Sequence, residues 1–175
     1  MIEQLPEGHI IKTMVTEHEH ILEMLDELQK IAHQLSRDDK KSGTIFMARA
    51  NELAVKIVGA EPHHQREEKV LFTAMEEKGV TGPTHVMRME HEVMRELKHD
   101  LKSETENLDK DWPDQVEKVS QLISELCTTL RQHIEKENNI LYPMALQSIT
   151  ETVEWEEMKV RCDEIGYCCF CPSNT

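Results

Sequence analysis

Apolar residues recur at three- and four-residue steps along four long stretches of the chain, a spacing that places them on one face of a helix. We predict helices over residues 8–35, 44–78, 83–108 and 113–148, with an interruption of the second at Pro62. The apolar stripes comprise Ile11, Met14, Ile21, Leu25, Leu28, Ala32, Leu35, Leu53, Ile57, Ala60, Leu71, Ala74, Met87, Met94, Leu97, Leu101, Val119, Ile123, Leu126, Leu130, Leu141 and Met144.

The segments between these stretches are short and rich in helix breakers. They read SRDDKKSG, GVTGP and DKDWP, so consecutive helices should lie antiparallel as neighbours. The pattern predicts an all-α, up-down-up-down four-helix bundle over residues 1–148. Residues 149–175 should form one short helix followed by a cysteine-rich tail.

Polar side chains interrupt every stripe at a single level of the predicted bundle. The interrupting residues are His18, His63, Glu67, His91, His133 and Glu137. Counted from the helix ends at about 1.5 Å per residue, their heights differ by only a few ångströms. We therefore expect these six side chains to point inward and to meet.

Four imidazoles and two carboxylates in an apolar core would be costly without partners, because buried charges need compensation. The spacing His-x-x-x-Glu occurs at His63–Glu67 and at His133–Glu137, and residues four apart share one helix face. A hydrogen-bonded network without metal is the alternative, but six such side chains at one level favour a pair of cations. Imidazole with carboxylate suits iron, manganese or zinc, and we predict a non-haem di-iron centre.

Composition and charge narrow the class of protein. Aromatic residues make up 4% of the 175 residues and glycines number six, which favours helices. The net charge of −14 disfavours a nucleic-acid partner.

No apolar run approaches the roughly 20 residues of a membrane span, and the N-terminal MIEQLPEGHIIK has no export signal, so we expect a cytoplasmic protein with no membrane partner. The odd number of cysteines, five, argues against a disulfide scaffold.

Four fragments in order, EHEHILEMLDEL, HHQREEKVLF, MEHEVMREL and HIEKENNILYPMAL, resemble the hemerythrin-like (HHE) cation-binding domain family over about residues 16–146. Within it, GPTHVMRMEHEVM and HIEKENNILYPMAL are most similar to bacterial di-iron proteins that repair stress-damaged iron–sulfur centres. The resemblance implies two irons, oxo- or hydroxo-bridged, in a four-helix bundle. Carried over residue by residue, it implies as ligands His18, His63, Glu67, His91, His133 and Glu137, with the glutamates as bridges.

Two departures from the family patterns bear on function. Oxygen-carrying hemerythrins have a further histidine four residues before the third-helix ligand, where this chain has Met87, so the site should be more open. The repair proteins carry a cysteine-containing domain before the bundle, whereas the cysteines here follow it. We expect binding of, or reaction with, O2, NO or peroxide at an open iron position, in stress response or oxygen sensing.

Two other functions remain open from the sequence. One is an iron donor for the repair of iron centres, or a redox sensor, acting on a protein partner through the tail. An oxidase or peroxidase has less support, since Glu68 and Tyr142 are the only evident proton donors.

The remaining histidines and cysteines leave alternatives. His64 competes with His63 because Glu68 lies four residues further on, and His20 competes more weakly with His18. We expect His9, His33, His85 and His99 to be solvated or interfacial, with His9 and His85 the first candidates for an extra ligand. Cys127 should be a small core residue. The tail thiols are either packed or functional, as redox groups or a second metal site; they are Cys162, Cys168, Cys169 and Cys171.

Overall fold

The computed structural model describes residues 2–37, 39–107, 111–168 and 170, and every regular element within them is a helix. After a short 3-10 turn at Ile2–Gln4, the α-helices are α1 Ile10–Leu35, α2 Lys40–Val58, α3 Glu61–Arg66, α4 Phe72–Glu77, α5 Gly82–Glu106, α6 Trp112–Lys136, α7 Tyr142–Ser148 and α8 Thr152–Ile165. The predicted all-α bundle is confirmed. The described helices are each too short or too polar to span a bilayer.

The start of the second helix differs from the predicted one. Helix α2 begins at Lys40, four residues early, because the Asp39 carboxylate accepts the backbone N–H of Ser42 at 2.9 Å and caps the helix. The predicted interruption at Pro62 is present as a break after Val58, since proline lacks an N–H and its ring opposes the preceding turn. The predicted end of the third helix, Leu108, lies outside the described residues.

Two π-helical turns, Glu67–Leu71 and Glu137–Leu141, join α3 to α4 and α6 to α7. The sequence pattern did not predict them. A π turn holds one residue more than an α turn, so the apolar face beyond it moves along by one position. Met75 and Ala145 are accordingly buried, whereas the predicted Ala74 and Met144 are only half-buried. Ala32 is likewise half-buried.

The described chain packs as two compact units. The first comprises the described parts of residues 1–20, 59–91 and 132–175. Its apolar core includes Ile10, Ile11, Met14, Val70, Leu71, Phe72, Met75, Met87, Leu141, Tyr142, Ala145, Ile149, Met158 and Cys162. Helix α8 therefore contributes to this unit, and the predicted domain boundary at residue 148 stays a prediction.

The second unit comprises residues 21–58 and the described parts of 92–131. It buries the remaining apolar stripes, and Cys127 lies in it with no exposed surface, its thiol donating to the Leu25 carbonyl at 3.6 Å. Gly43 lies against the Trp112 ring so closely that any larger residue would clash, which explains a glycine inside α2. Burial raises the pKa of the Cys127 thiol to about 11, so it stays a neutral core side chain.

Candidate metal centre

The structure brings the six predicted side chains together inside the first unit. They are contributed by α1, α3, the two π turns, α5 and α6, and none exposes more than 2% of its surface: His18, His63, Glu67, His91, His133 and Glu137. The six side chains therefore lie together in the interior, as the residue count from the helix ends predicted.

An outer acceptor fixes the orientation of each of the four imidazoles. The Nδ1 atom of His63 lies 2.7 Å from Glu17 Oε2, and that of His133 lies 2.8 Å from Glu90 Oε2. The outer partners of the other two rings are Asn138 Oδ1 for His18, at 2.9 Å, and Glu68 Oε1 for His91, at 2.6 Å. Amide and carboxylate oxygens only accept hydrogen bonds, so Nδ1 carries the proton and each Nε2 presents a lone pair.

These four lone pairs point at one another in two pairs. His18 Nε2 lies 3.0 Å from His63 Nε2, and His91 Nε2 lies 3.1 Å from His133 Nε2. Two bare lone pairs repel at such distances unless a proton or a metal ion lies between them. Outer carboxylates and amides that fix the tautomer are what metal-binding histidines ordinarily have.

The two carboxylates lie where they can reach both histidine pairs. Glu137 directs Oε2 toward His18, at 3.2 Å, and Oε1 toward His133, at 2.9 Å. Glu67 Oε2 lies 3.5 Å from His63 Nε2 and 3.4 Å from His91 Nε2. Glu67 Oε2 and both Glu137 oxygens have no hydrogen-bond partner among the residues that the structure describes. Buried oxygens of this kind are fitted to a cation.

The distances also test what kind of cation the donors fit. Ligands at right angles on bonds of about 2.1 Å lie about 3.0 Å apart, and tetrahedral ones about 3.4 Å apart. The two pairs of imidazole nitrogens, at 3.0 and 3.1 Å, match the right-angled arrangement. Two groups of donors arise, one from His18, His63 and Glu137, the other from Glu67, His91, His133 and Glu137. The donors therefore form two groups that have Glu137 in common, and Glu67 Oε2 of the second group also lies 3.5 Å from His63 Nε2 of the first.

Burial and neighbouring charge shift the pKa values in the metal-free chain. Burial and the Glu137 carboxylate raise the pKa of Glu67 well above its usual range. Burial lowers the pKa of His63 to about 4, so this ring is neutral near pH 7. Burial also lowers the pKa of His133, but Glu137 and Glu90 outweigh it and leave that pKa raised. A bound cation would replace the protons that the cluster otherwise needs.

A buried ion pair supports the His63 ring. Arg66 Nη2 lies 2.5 Å from both oxygens of Glu17, and neither side chain is exposed. Burial alone would raise the pKa of Glu17, but His63 and Arg66 outweigh it and hold the carboxylate ionised. The pair therefore delivers a permanent acceptor to His63 without leaving a net charge in the core.

Two aromatic rings flank the centre. The Tyr142 ring stacks on His18 with centroids 5.7 Å apart, and its hydroxyl donates to Glu67 Oε1 at 2.8 Å. The Phe72 ring stacks on His91 at 5.8 Å. The tyrosine thus holds one oxygen of Glu67, which leaves the other directed toward the imidazoles.

The competing histidines lie elsewhere. His64 is buried, with its ring stacked 3.9 Å from that of His91, and it belongs to neither donor group. His20 is half-buried with its ring edge toward Phe170, 6.2 Å away. His9 accepts the backbone N–H of Ile11 at 3.2 Å and so caps α1. The other three, His33, His85 and His99, are exposed.

Two of the tail thiols, Cys162 and Cys168, are buried free cysteines. Burial raises the pKa of Cys162 to about 11, and the Cys168 thiol donates to the Ala60 carbonyl at 3.7 Å. These two thiols are packed and are not offered to solvent. Cys169 and Cys171 lie outside the described residues.

Sequence reasoning missed the outer acceptors Glu17, Glu90 and Asn138, and it gave Glu68 a different role. A usable signal was present, because Glu directly precedes His in both Glu17–His18 and Glu90–His91. Glu17 on α1, however, contacts His63 on α3, and Glu90 on α5 contacts His133 on α6, so neither glutamate serves the histidine beside it in sequence. That exchange depends on helix packing and could not be read from spacing.

A helical bundle that encloses imidazoles and carboxylates facing one another is the architecture of metal-binding bundle proteins. Residues 9–145 match the sequence model of the hemerythrin HHE cation binding domain. The chain belongs to this family, as its motifs predicted.

Curated relatives carry the name of a repair protein. The chain is 29% identical over 156 residues to the iron-sulfur cluster repair protein YtfE of Yersinia pseudotuberculosis serotype IB (strain PB1/+), a match covering 83% of this chain and 68% of that protein. The protein of the same name from Yersinia pestis (strain Pestoides F) matches to the same extent. The predicted similarity to repair proteins is confirmed, and family membership implies a bound cation, with iron the metal of the hemerythrin fold.

Proposed function

We propose that this protein holds two iron ions, bridged by Glu67 and Glu137, and binds a small ligand such as O2, NO or peroxide there. The observation that carries the proposal is the set of four inward Nε2 lone pairs around carboxylate oxygens that lack hydrogen-bond partners among the described residues. We expect the protein to act in the cytoplasm, where free thiols such as Cys162 persist.

The number of donors supports an open coordination position. Two histidines per ion and two shared carboxylates provide each ion with about four protein donors, fewer than the six that iron commonly accepts. Met87, at the position where an extra histidine would stand, is buried in the apolar core of the first unit. Solvent or a small ligand would complete the set.

The surrounding residues favour small, weakly polar ligands. The apolar core of the first unit includes Tyr142, whose hydroxyl contacts Glu67, and Phe72, whose ring stacks on His91. A dry lining excludes bulky or charged substrates and strengthens electrostatic interactions inside the site. A pair of irons would supply redox chemistry and ligand positions. The chain's own residues hold the donors, fix the imidazole tautomers and limit the entry of water.

Reconstitution with iron tests the proposal directly. Metal-free protein is titrated anaerobically with Fe(II), and the bound iron is determined by elemental analysis; we expect two ions per chain. Oxidation should produce a charge-transfer absorption, and NO should change the spectrum of the reduced form. A folded protein that binds less than one iron per chain would contradict the proposal.

Neighbouring histidines provide a matched control. His63→Ala removes a donor and should reduce the iron bound, whereas His64→Ala removes a buried ring that belongs to neither donor group. His99→Ala, on the surface, controls for the loss of any imidazole. Loss of iron from the His64 variant alone would show that the site uses the other of the two adjacent histidines.

The similarity to the YtfE proteins favours a second function, iron delivery to damaged iron–sulfur proteins. Iron-loaded protein is mixed with a protein whose cluster has been damaged, together with sulfide and a chelator that captures free Fe(II). Cluster recovery that resists the chelator would support direct delivery, with the His63→Ala variant as the iron-poor control. Recovery that the chelator abolishes would point back to ligand binding alone.

A further inference from the structure

The two halves of the bundle repeat one another in sequence. HHQREEKVLFTAM, starting at His63, aligns with HIEKENNILYPMA, starting at His133, and matches it at His, Glu and Leu. Each follows an earlier Glu–His pair, at Glu17–His18 or Glu90–His91. Both copies contain a π turn after the histidine and an aromatic residue after that turn. Each half therefore provides two histidines and one glutamate to the centre.

The outer contacts repeat as well. In the first half Glu17 accepts from His63 and pairs with Arg66, while in the second Glu90 accepts from His133 and pairs with Lys136. The arrangement is thus the same in both halves: a carboxylate held between an imidazole and a basic residue three positions after it. A structural difference between the halves is therefore a difference between the surroundings of the two ion positions.

The halves differ most in exposure. The Glu17 and Arg66 side chains are 0% and 1% exposed, whereas those of Glu90 and Lys136 are 27% and 38% exposed. Glu68, which holds His91, is 18% exposed. Water therefore reaches the outer partners of both His91 and His133, but not the partner of His63.

The C-terminal segment accounts for the enclosed half. The guanidinium of Arg66 lies 4.6 Å from the centroid of the Tyr167 ring, and the Cys168 backbone N–H approaches Glu17 Oε1 at 3.5 Å. The Cys168 thiol contacts Ala60, just before α3. Residues 167–168 thus cover the Glu17–Arg66 pair, on which the orientation of His63 depends.

Resting on the two-ion centre proposed above, we infer that its ions exchange at different rates and that the ion at His91 and His133 leaves first. Release requires an imidazole to turn away from the ion, together with its outer partner. Glu68 and Glu90 can move into water when this happens, whereas Glu17 and Arg66 are enclosed and would each lose a charged partner.

Two other contacts bear on the inference. His18, in the enclosed group, is held by Asn138, which is only half-buried, so the slow step at that position depends on His63. Glu68 and Glu90 make their imidazoles better donors than an amide partner would, which strengthens equilibrium binding of the second ion. The inference therefore concerns the rate of exchange and not the affinity. An exchangeable ion beside a retained one is what a protein that delivers iron would need.

Chelator-driven release from the full-length protein measures both rates. Protein carrying two Fe(II) is mixed with excess bipyridine chelator under anaerobic conditions, and the coloured complex is followed with time. We expect two phases of equal amplitude, one ion each, with rates at least about tenfold apart.

Two substitutions assign the phases. Glu90→Gln weakens the partner of His133 and should accelerate only the fast phase, by about tenfold. Tyr167→Leu removes the ring over Arg66 and should accelerate only the slow phase. Val160→Ala, on the exposed face of α8, is the matched control and should change neither. Circular dichroism of each variant establishes that the helices remain intact.

Results that contradict the inference can be distinguished from results that contradict the proposed centre. Release of both ions in a single phase would contradict the inferred difference between their exchange rates, but it would not contradict the two-ion centre. Acceleration of the fast phase by Tyr167→Leu, with the slow phase unchanged, overturns the assignment of the enclosed position. Fewer than two ions bound at the start contradicts the proposed centre itself, and the inference with it.

Discussion

Replacing Glu67 by glutamine should stabilise the metal-free protein and weaken its response to metal. Glu67 is fully buried, its pKa is raised by burial and by Glu137, and its Oε2 atom has no hydrogen-bond partner among the described residues. Glutamine has nearly the same shape and still offers an acceptor to the Tyr142 hydroxyl. Removing a buried ionisable group should raise the free energy of unfolding without metal by about 1–2 kcal/mol.

In the proposed two-iron centre, the same substitution would also remove a ligand that both ions share. A ligand at a thousandfold excess over its dissociation constant stabilises a protein by about 4 kcal/mol, and binding weakened a hundredfold leaves about 1.4 kcal/mol. The stabilisation by metal should thus fall by about 2.7 kcal/mol. For a chain of this size, that corresponds to a metal-induced increase in Tm smaller by about 5–10 °C.

Thermal unfolding followed by circular dichroism, with chelator and with Fe(II), measures both effects. Glu125→Gln, an exposed glutamate in α6, is the matched control and should change neither Tm by more than about 1 °C. A Glu67→Gln protein that is less stable without metal, yet keeps the full metal-induced increase, would refute the reasoning. It would mean that the carboxylate is satisfied by the protein and not by a cation.

Three further substitutions or measurements test other parts of the structure. Glu17→Ala leaves the Arg66 guanidinium buried without its carboxylate and should cost about 3–5 kcal/mol in urea unfolding; a cost below about 1 kcal/mol would show that Arg66 reaches water. Asp39→Ala removes the cap of α2 and should cost about 1 kcal/mol in the same assay; no change would mean that the helix start does not depend on it. Cys162, with a pKa raised to about 11, should resist alkylation in native protein at pH 8 and react after denaturation, as measured by mass spectrometry; rapid labelling of the native thiol would contradict its burial.

Much of the fold could be predicted because the helices are long and strongly periodic. The apolar spacing gave the beginning of α1 within two residues, Gly8 against Ile10, and its end at Leu35. The start of α2 was predicted too late because the segment SRDDKKSG contains no large apolar residue. In such a segment, the capping residue Asp39 cannot be distinguished from a loop residue. The π turns were missed because they leave no signal in the composition. They show in the buried face, where Met75 replaces Ala74 and Ala145 replaces Met144.

The layer of polar side chains could be predicted because a histidine in an apolar stripe is conspicuous. The choice of His63 over His64 followed the stripe through Ile57 and Ala60, and the structure gives His63 the inward position. The outer shell could not be predicted in the same way. Whether Glu17 faces His63 or His18 depends on the packing of α1 against α3, and the cover over Arg66 comes from residues far along the chain.

The widened turns at Glu67–Leu71 and Glu137–Leu141 make these stretches sensitive to length. Each turn holds one residue more than an α turn, so deleting one residue within it would restore a regular helix and leave the residues beyond it facing the same way. Inserting one more residue would instead rotate the residues beyond it by about 100° about the helix axis. An insertion at Glu137–Leu141 would therefore move Tyr142 away from Glu67 and turn buried residues such as Ala145 toward water. These turns should accept a one-residue deletion that spares Glu67 and Glu137, but not a one-residue insertion.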